Sequence, residues 1–372
     1  MSRFLRFLLI GLLFSRGVAF GQNPKPSGAS SVTLENVLTK LKLKGRAALG
    51  YLKSQDFGSF RSGSFEAPDV KLVFGFKPDE TLDLVVRFNL NNAAANSPFA
   101  DYVFLQAKDF ISHLKETPWS VSGRLGRFKL GAGEETWSNN PIEGSLPSNS
   151  AANVDGADEG IEFFGKFWVV SLSNGQRGLN SETGQAKAWM GKIFYAVWNP
   201  LYASVTYYDS GSLKASQSEV SIAGIVAAPT GATNWKRRVW EADLRFDFEK
   251  GTTRDPPVFS DSKSIVRTSY GQFEDIGGAD RNGHFGFIDV LYNCSPKIYG
   301  ATRVSFIDLD GSQTASLNTV TTNHYERYSV GIGYRWSENT HVRLGYDHNE
   351  NGGAGTSDVR DDLLSALLSL RF

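Results

Sequence analysis

The 372-residue chain holds a single cysteine, Cys294, so no disulfide can form within it. A free thiol is tolerated in an oxidising compartment, where it is a liability and not a contradiction. After its first twenty residues the chain has no long apolar run, and its mean hydropathy is −0.27. A helix that crosses lipid needs ~20 mostly apolar residues. Any membrane passage must therefore use a closed β-barrel, the other architecture that satisfies every backbone group in lipid. Neither charge is in excess, with 39 basic and 39 acidic residues. A strongly basic surface is excluded, and nucleic acid is not expected as a partner. Catalytic signatures are missing as well. His113, His284, His324, His341 and His348 show no zinc spacing such as His-Glu-x-x-His, and no Gly-x-Ser-x-Gly elbow occurs. Asp308-x-Asp310-Gly311 opens like a calcium loop but lacks the later ligands. Gly352, Gly353 and Gly355 sit in a loop pattern, not at the strand-to-helix turn a nucleotide site requires. A triad of dispersed Ser, His and Asp would leave no local trace. Nothing else points to an enzyme, and no cofactor or metal is implied.

The N-terminus is rich in what the rest lacks. Arg3 and Arg6 precede the apolar run Phe7 to Phe14, and Gly17, Ala19 and Gly21 follow. This is the order of a secretory signal peptide, 1–21, cut after Gly21 with Ala19 as second choice. Its removal leaves 36 basic residues (39 less Arg3, Arg6 and Arg16) against 39 acidic, so the exported chain is slightly acidic. Residues 22–31 read as a flexible leader, and Val32, Leu34, Val37, Leu38 and Leu41 allow one or two helical turns. Residues 22–40 are thus expected to be a periplasmic leader with a short helix.

From 41 to 372 only strand patterns occur. Trp240, Ala242, Leu244, Phe246 and Phe248 interleave with Glu241, Asp243, Arg245, Asp247 and Glu249, and Tyr328 to Trp336 alternate in the same way. Short links at Pro78–Thr81, Asn199–Pro200, Asn293–Lys297 and Ser337–Thr340 alternate with long polar ones near 53–69, 91–101, 131–159, 174–187, 210–237, 274–283, 309–324 and 350–361. That asymmetry predicts an all-β fold, a transmembrane antiparallel β-barrel with short periplasmic turns and long extracellular loops. The count is sixteen strands, or eighteen if 219–226 is a separate strand with a partner. A soluble sandwich or propeller would share the short strands. It would not place Trp240, Tyr270, Tyr292, Tyr328, Trp336, Tyr346 and Phe372 near strand ends on the apolar phase, as an interfacial girdle does.

The last strand, Leu364-x-Ala366-x-Leu368-x-Leu370-x-Phe372, resembles the C-terminal strand of Gram-negative outer-membrane barrels. The resemblance implies that Phe372 closes the barrel and serves as a signal to the barrel assembly machinery. GRFKLGAGEETWSNNPI followed by DGADEGIEFFGKF resembles the third-loop region of Gram-negative porins, closest to the phosphate-selective porin family. It implies outer-membrane lipid as the surroundings, a homotrimer, and passive diffusion of small hydrophilic solutes and ions. A phosphate-selective aperture would be dominated by Arg and Lys, and this loop departs from that pattern.

Segment 131–159 carries Glu134, Glu135, Glu143, Asp155, Asp158 and Glu159 and no Lys or Arg. Either it is a solvated loop, or it folds into the lumen and narrows a channel that sixteen strands leave wide. Lys44, Arg46, Lys71, Arg87, Arg127 and Lys129 read as a basic wall on the lumen phase of the early strands. An acidic loop facing that wall would set a transverse field across the aperture. Arg245, Arg267, Arg303, Arg327, Arg335 and Arg343 suggest a second basic track, diluted by Asp243, Asp247 and Asp347. A sugar-selective variant would use Phe194, Tyr202 and Tyr208 as a sliding surface. From another class, an adhesin or structural anchor would use loops 210–237 and 309–324.

Overall fold

A computed structural model describes residues 39–90, 100–115, 117, 119–135, 144–175, 187–198, 200–248, 264–311, 313–317, 320–352 and 358–372. The expected signal peptide and most of the leader lie outside these residues, as does Glu143.

Sixteen strands form the wall. They are β1 (Leu41–Ser54), β2 (Ser64–Phe76), β3 (Leu82–Asn89), β4 (Ala100–Ala107), β5 (Ser122–Lys129), β6 (Ala157–Phe164), β7 (Trp168–Ser173) and β8 (Ala188–Trp198). β9 (Leu201–Asp209), β10 (Asn234–Asp247), β11 (Ile265–Ile276), β12 (Arg281–Asn293), β13 (Ile298–Leu309), β14 (His324–Ser337), β15 (Thr340–Gly352) and β16 (Leu363–Arg371) complete it. Each pairs antiparallel with the next, and β16 returns to β1 from Arg46↔Arg371 to Ser54↔Leu363. Closure leaves no edge strand, so no row of backbone groups is left unpaired.

Period-two patterning decides which side faces where. On β10, Glu241, Asp243, Arg245 and Asp247 are buried while Trp240 and Leu244 are exposed. The polar phase therefore faces inward and the apolar phase outward. The outer face is a lipid-type surface. On β14, Val330 and Ile332 lie bare between Tyr328 and Trp336. Eight residues of strand span ~27 Å, and a barrel tilt reduces that to about the height of an outer-membrane apolar band. Trp240, Tyr270, Tyr292, Tyr346 and Phe372 are exposed on the same phase.

Three links differ from the sequence reading. Segment 274–283 is a four-residue connection, 277–280, because the ladder continues through Asp275↔Arg281. The β4–β5 connection, on the side of the short turns, is longer and carries a 3-10 turn at Ser112–Leu114. Segment 219–226 is not a wall strand. It contributes only Ser221–Ile222, which pairs with Val154–Asp155 inside the loops, so the count stays at sixteen.

At the seam, Phe372 exchanges both backbone hydrogen bonds with Gly45, at 2.9 and 3.0 Å. Its ring lies over Gly45, where a Cβ would meet ring carbons at 2.1–2.8 Å. Gly45→Val is expected to cost about 1–3 kcal/mol through overpacking, read from guanidinium unfolding in detergent micelles. Phe372→Leu in the same chain should return part of that loss. An undisturbed midpoint in Gly45→Val would mean that the ring does not cover the seam.

Candidate functional site

The segment after β5 runs inward, and inward-phase side chains of the far wall hold it. Arg343 donates to Gly144 O at 2.7 Å and Leu146 O at 3.2 Å. Arg303 donates to Ser148 O at 3.0 Å, and Arg327 to Asn149 O at 2.9 Å. Ser148 Oγ donates to Asp347 at 2.8 Å, and Ala151 N to Ser305 Oγ at 2.9 Å. Leu146 and Pro147 rest on Gly331 and Gly345, where any Cβ would approach each of them to 2.7 Å. The described part of 130–156 therefore lies inside the barrel, against β12–β15.

Of its two described glutamates, Glu134 reaches β8 and β9 and Glu135 reaches β13. Lys192 Nζ lies 2.8 Å from Glu134, and Tyr202 OH donates to it at 2.6 Å. Burial opposes the charge on Glu134, but Lys192 outweighs it and holds the carboxyl below its usual range. Glu135 accepts from Ser150 N at 2.7 Å and from Ser150 Oγ, and lies 3.3 Å from Arg303. These carboxylates fasten the loop and do not face β1–β5.

A second segment folds in beside the first. Arg237 binds Asp275 bidentately at 2.6 and 2.7 Å and turns its remaining arm to Val220 O and to Ile225 O at 2.8 Å. Arg281 also binds Asp275 and donates to Ala227 O at 2.7 Å. Glu219, within the segment, accepts from Tyr208 OH at 2.5 Å and Val220 N at 2.6 Å. Val220, Ile222 and Ile225 then join Leu130, Ala152, Val154 and the wall residues Phe194, Tyr202, Phe273 and Phe285 in one buried cluster. This part of the lumen is a packed core. Phe194, Tyr202 and Tyr208 are 2%, 2% and 1% exposed, so the expected sugar-sliding surface is not available there. Within loop 210–237 the stretch 219–222 is buried inside, whereas Thr230 lies exposed against the 277–280 turn. Arg303, Arg327 and Arg343 clamp a loop and do not form an ion track.

The early wall is different. Arg46 pairs with Asp69 at 2.6 Å, Lys71 with Asp101 at 2.6 Å, and Arg87 with Asp101 at 2.8 Å. Lys44 lies on the same phase and is exposed. Sequence reasoning missed Asp69 and Asp101, although Asp69 lies on the inward phase with Lys71, two residues away. Asp101 is hidden by a register shift in β4 that breaks the alternation. Arg127 stands opposite Val103 and Glu159 in the ladder, is 6% exposed, donates to Asp101 O at 3.2 Å and pairs with Glu159 at 2.9 Å. Lys129, opposite Ala157, is half-buried and within electrostatic reach of Asp155, Arg87, Arg46 and Lys71. Asp158 and Glu159 belong to β6 and not to the loop. Asp158 accepts from Gly175 N at 2.6 Å. Asp155, on the inward loop, is within electrostatic reach of Lys129 and Tyr102. Among the described residues no group of three His, Cys, Asp or Glu could hold a metal ion. Asp308 and Asp310 meet His324 and His284 instead.

Two outcomes follow from the loop anchors. Arg303→Ala removes one partner each from Asp289 and Glu135, both 2% exposed, while Arg267 stays 2.6 Å from Asp289 and Ser150 N 2.7 Å from Glu135, and is expected to cost about 1–3 kcal/mol in micelle unfolding. An unchanged midpoint would mean the loop docks without it. Burial raises the Glu219 carboxyl from 4.5 to about 8, with Asp158 adding to the rise while Tyr208, Val220 N–H and Arg237 oppose it. The docked loop thus holds a proton that the undocked loop releases. Docking is strongest below pH 4.5 and weakens as pH rises toward about 8. Protease cleavage at Lys214 should therefore accelerate across this range in the native chain relative to Glu219→Gln; parallel pH profiles would refute the linkage.

The sequence matches no family model and no curated protein. Solved structures share the fold. OmpT of Vibrio cholerae, folded in vitro and in trimer form, is 9% identical with a TM-score of 0.58, and the match covers 89% of this chain and 99% of that one. The outer membrane channel DcaP of Acinetobacter baumannii is 12% identical at a TM-score of 0.58, over 89% of this chain and 97% of that one. An anion-selective porin from Comamonas acidovorans is 11% identical at 0.58, over 89% and 98%. With a closed antiparallel wall, aromatic residues exposed on its outer phase and a third loop folded inward, the chain has the sixteen-stranded porin fold.

Proposed function

We propose that this chain is an outer-membrane porin, a water-filled channel for passive diffusion of small hydrophilic solutes and ions. The observation that carries the reading is a difference between the two sides of the lumen. On the β8–β13 side the charged groups are sealed, with Lys192 at 4%, Arg303 at 0% and Asp275 at 0% side-chain exposure. On the β1–β4 side they remain wet, with Arg46 at 24%, Lys71 at 15% and Arg87 at 17%. The path therefore runs along β1–β4, with the inward third loop as its opposite bank. Lys44, Arg46, Lys71 and Arg87 face Asp69, Asp101 and, from the loop, Asp155. Interspersed signs with one surplus base support a weakly anion-preferring channel over a phosphate-selective one. An apolar outer face and an exported chain support outer-membrane lipid as its surroundings, and the trimer form of the OmpT structure supports a homotrimer. The same likeness favours transport over an adhesin or an enzyme. Engagement of the barrel assembly machinery through Phe372 belongs to this reading.

Planar bilayers test it. Native protein should conduct, with a reversal potential in a salt gradient on the anion side of zero. Arg46→Gln with Arg87→Gln should move that potential toward cations. A silent bilayer sinks the channel reading, and an unmoved potential in the double variant sinks the assignment of the aperture.

A further inference from the structure

We propose that segment 213–228 is a second constriction element, which closes the β8–β12 half of the lumen and so sets the size limit of the channel. This rests on the channel reading above. A sixteen-stranded wall encloses more space than its side chains can fill. The third loop crosses that space from Lys192 and Tyr202, which it meets through Gly131 and Glu134, to β12–β15, leaving the space in front of Tyr208, Arg237 and Asp275 to be filled by something else. Segment 213–228 fills it. Leu213–Lys214 extends the wall by pairing with Trp235 and Asn234. The chain then turns inward to Ser221–Ile222, which pairs with Val154–Asp155 of the third loop. Its tip is a two-residue reversal in which Ile222 and Ile225 bond each other, with Ala223 at φ +50° and Gly224 at φ +91°. Left-handed φ at both central positions is the geometry of a tight hairpin, and a non-glycine residue accepts it only where its surroundings hold it.

The anchoring is costly to build. Arg237 and Asp275 are both 0% exposed, and buried ion pairs of this kind rarely add net stability. Their geometry explains their presence. Asp275 fixes two arginines whose free arms donate to the loop carbonyls of Val220, Ile225 and Ala227. The wall thus carries a socket for this loop, parallel to the one Arg303 and Arg343 make for the third. With both loops seated, solutes are confined to the β1–β4 side, which favours molecules of monosaccharide size and below.

The test compares three proteins in planar bilayers and in liposome swelling with a series of oligosaccharides. In the first, residues 215–230 are replaced by a short Gly-Ser link, and heat-dependent electrophoretic mobility verifies that the barrel is folded. Its conductance should rise roughly twofold, as about half of the lumen is uncovered, and larger oligosaccharides should enter. The second, Arg237→Gln, keeps the full chain and should shift both readouts in the same direction. It decides the matter if the shortened chain does not fold. The third is Val154→Cys with Ile222→Cys in a Cys294→Ser background. It should cross-link in the folded barrel and keep native conductance before and after reduction. The proposal is overturned if native protein conducts and neither opened variant differs from it, or if the folded cysteine pair does not cross-link. If native protein is silent, the channel reading fails, and the cross-link alone still reports whether the loop is seated.

Discussion

Inside this barrel everything depends on arginine donors meeting backbone carbonyls. A wall strand satisfies its backbone through its neighbours, but a loop folded into the lumen leaves that ladder and takes unpaired C=O groups with it. Arg343, Arg303 and Arg327 supply donors to Gly144, Leu146, Ser148 and Asn149, and Arg237 and Arg281 supply them to Val220, Ile225 and Ala227. A guanidinium suits this task because its fork can grip a carboxylate with one edge and a carbonyl with another. Asp289 and Asp275 are the fixed points that aim the forks. Without these pairs the loops would have no reason to enter a polar interior.

This changes what the charges mean. The third loop carries acids and no bases, and the wall around it is rich in arginine. Glu134 and Glu135 meet Lys192 on β8 and Arg303 on β13, so much of this complementarity is docking force. Once used in docking, a charge is screened by its partner and contributes little field to the passage. On the channel reading, what remains for solutes is the opposite bank, where Arg46, Lys71 and Arg87 share two carboxylates and stay partly wet.

The wall was legible in the sequence because its rule is local. Alternation over eight or more residues names the strand and its two faces at once, which is why β10 and β14 stood out. Turn-rich links of two lengths then supply the topology. The lumen was less legible because its contacts are distant. Arg303 and Ser148 are separated by 155 positions, and no periodicity links them. The phase rule also fails quietly near strand ends. Asp101 was lost because a register shift places it beside Arg87 against simple alternation. Segment 219–226 looked like a wall strand because Val220, Ile222 and Ile225 are apolar, but their period serves a hairpin buried among other loops.

Two apolar surfaces with opposite uses follow from the same residue types. The outer band of Val330, Ile332 and Leu344 is bare, as a face turned to lipid would be, and it can be broad and featureless. The inner cluster of Val154, Ile222 and Phe285 must be closed by protein, since water fills whatever the loops do not. An apolar wall patch inside a barrel therefore predicts a loop that covers it. Phe273, Phe285 and Phe287 on the inward phase of β11 and β12 form such a patch, in positions where a wide water-filled pore would carry polar groups. Large inward aromatics on neighbouring strands are the one local signal that could have located the second folded-in loop before its contacts were known.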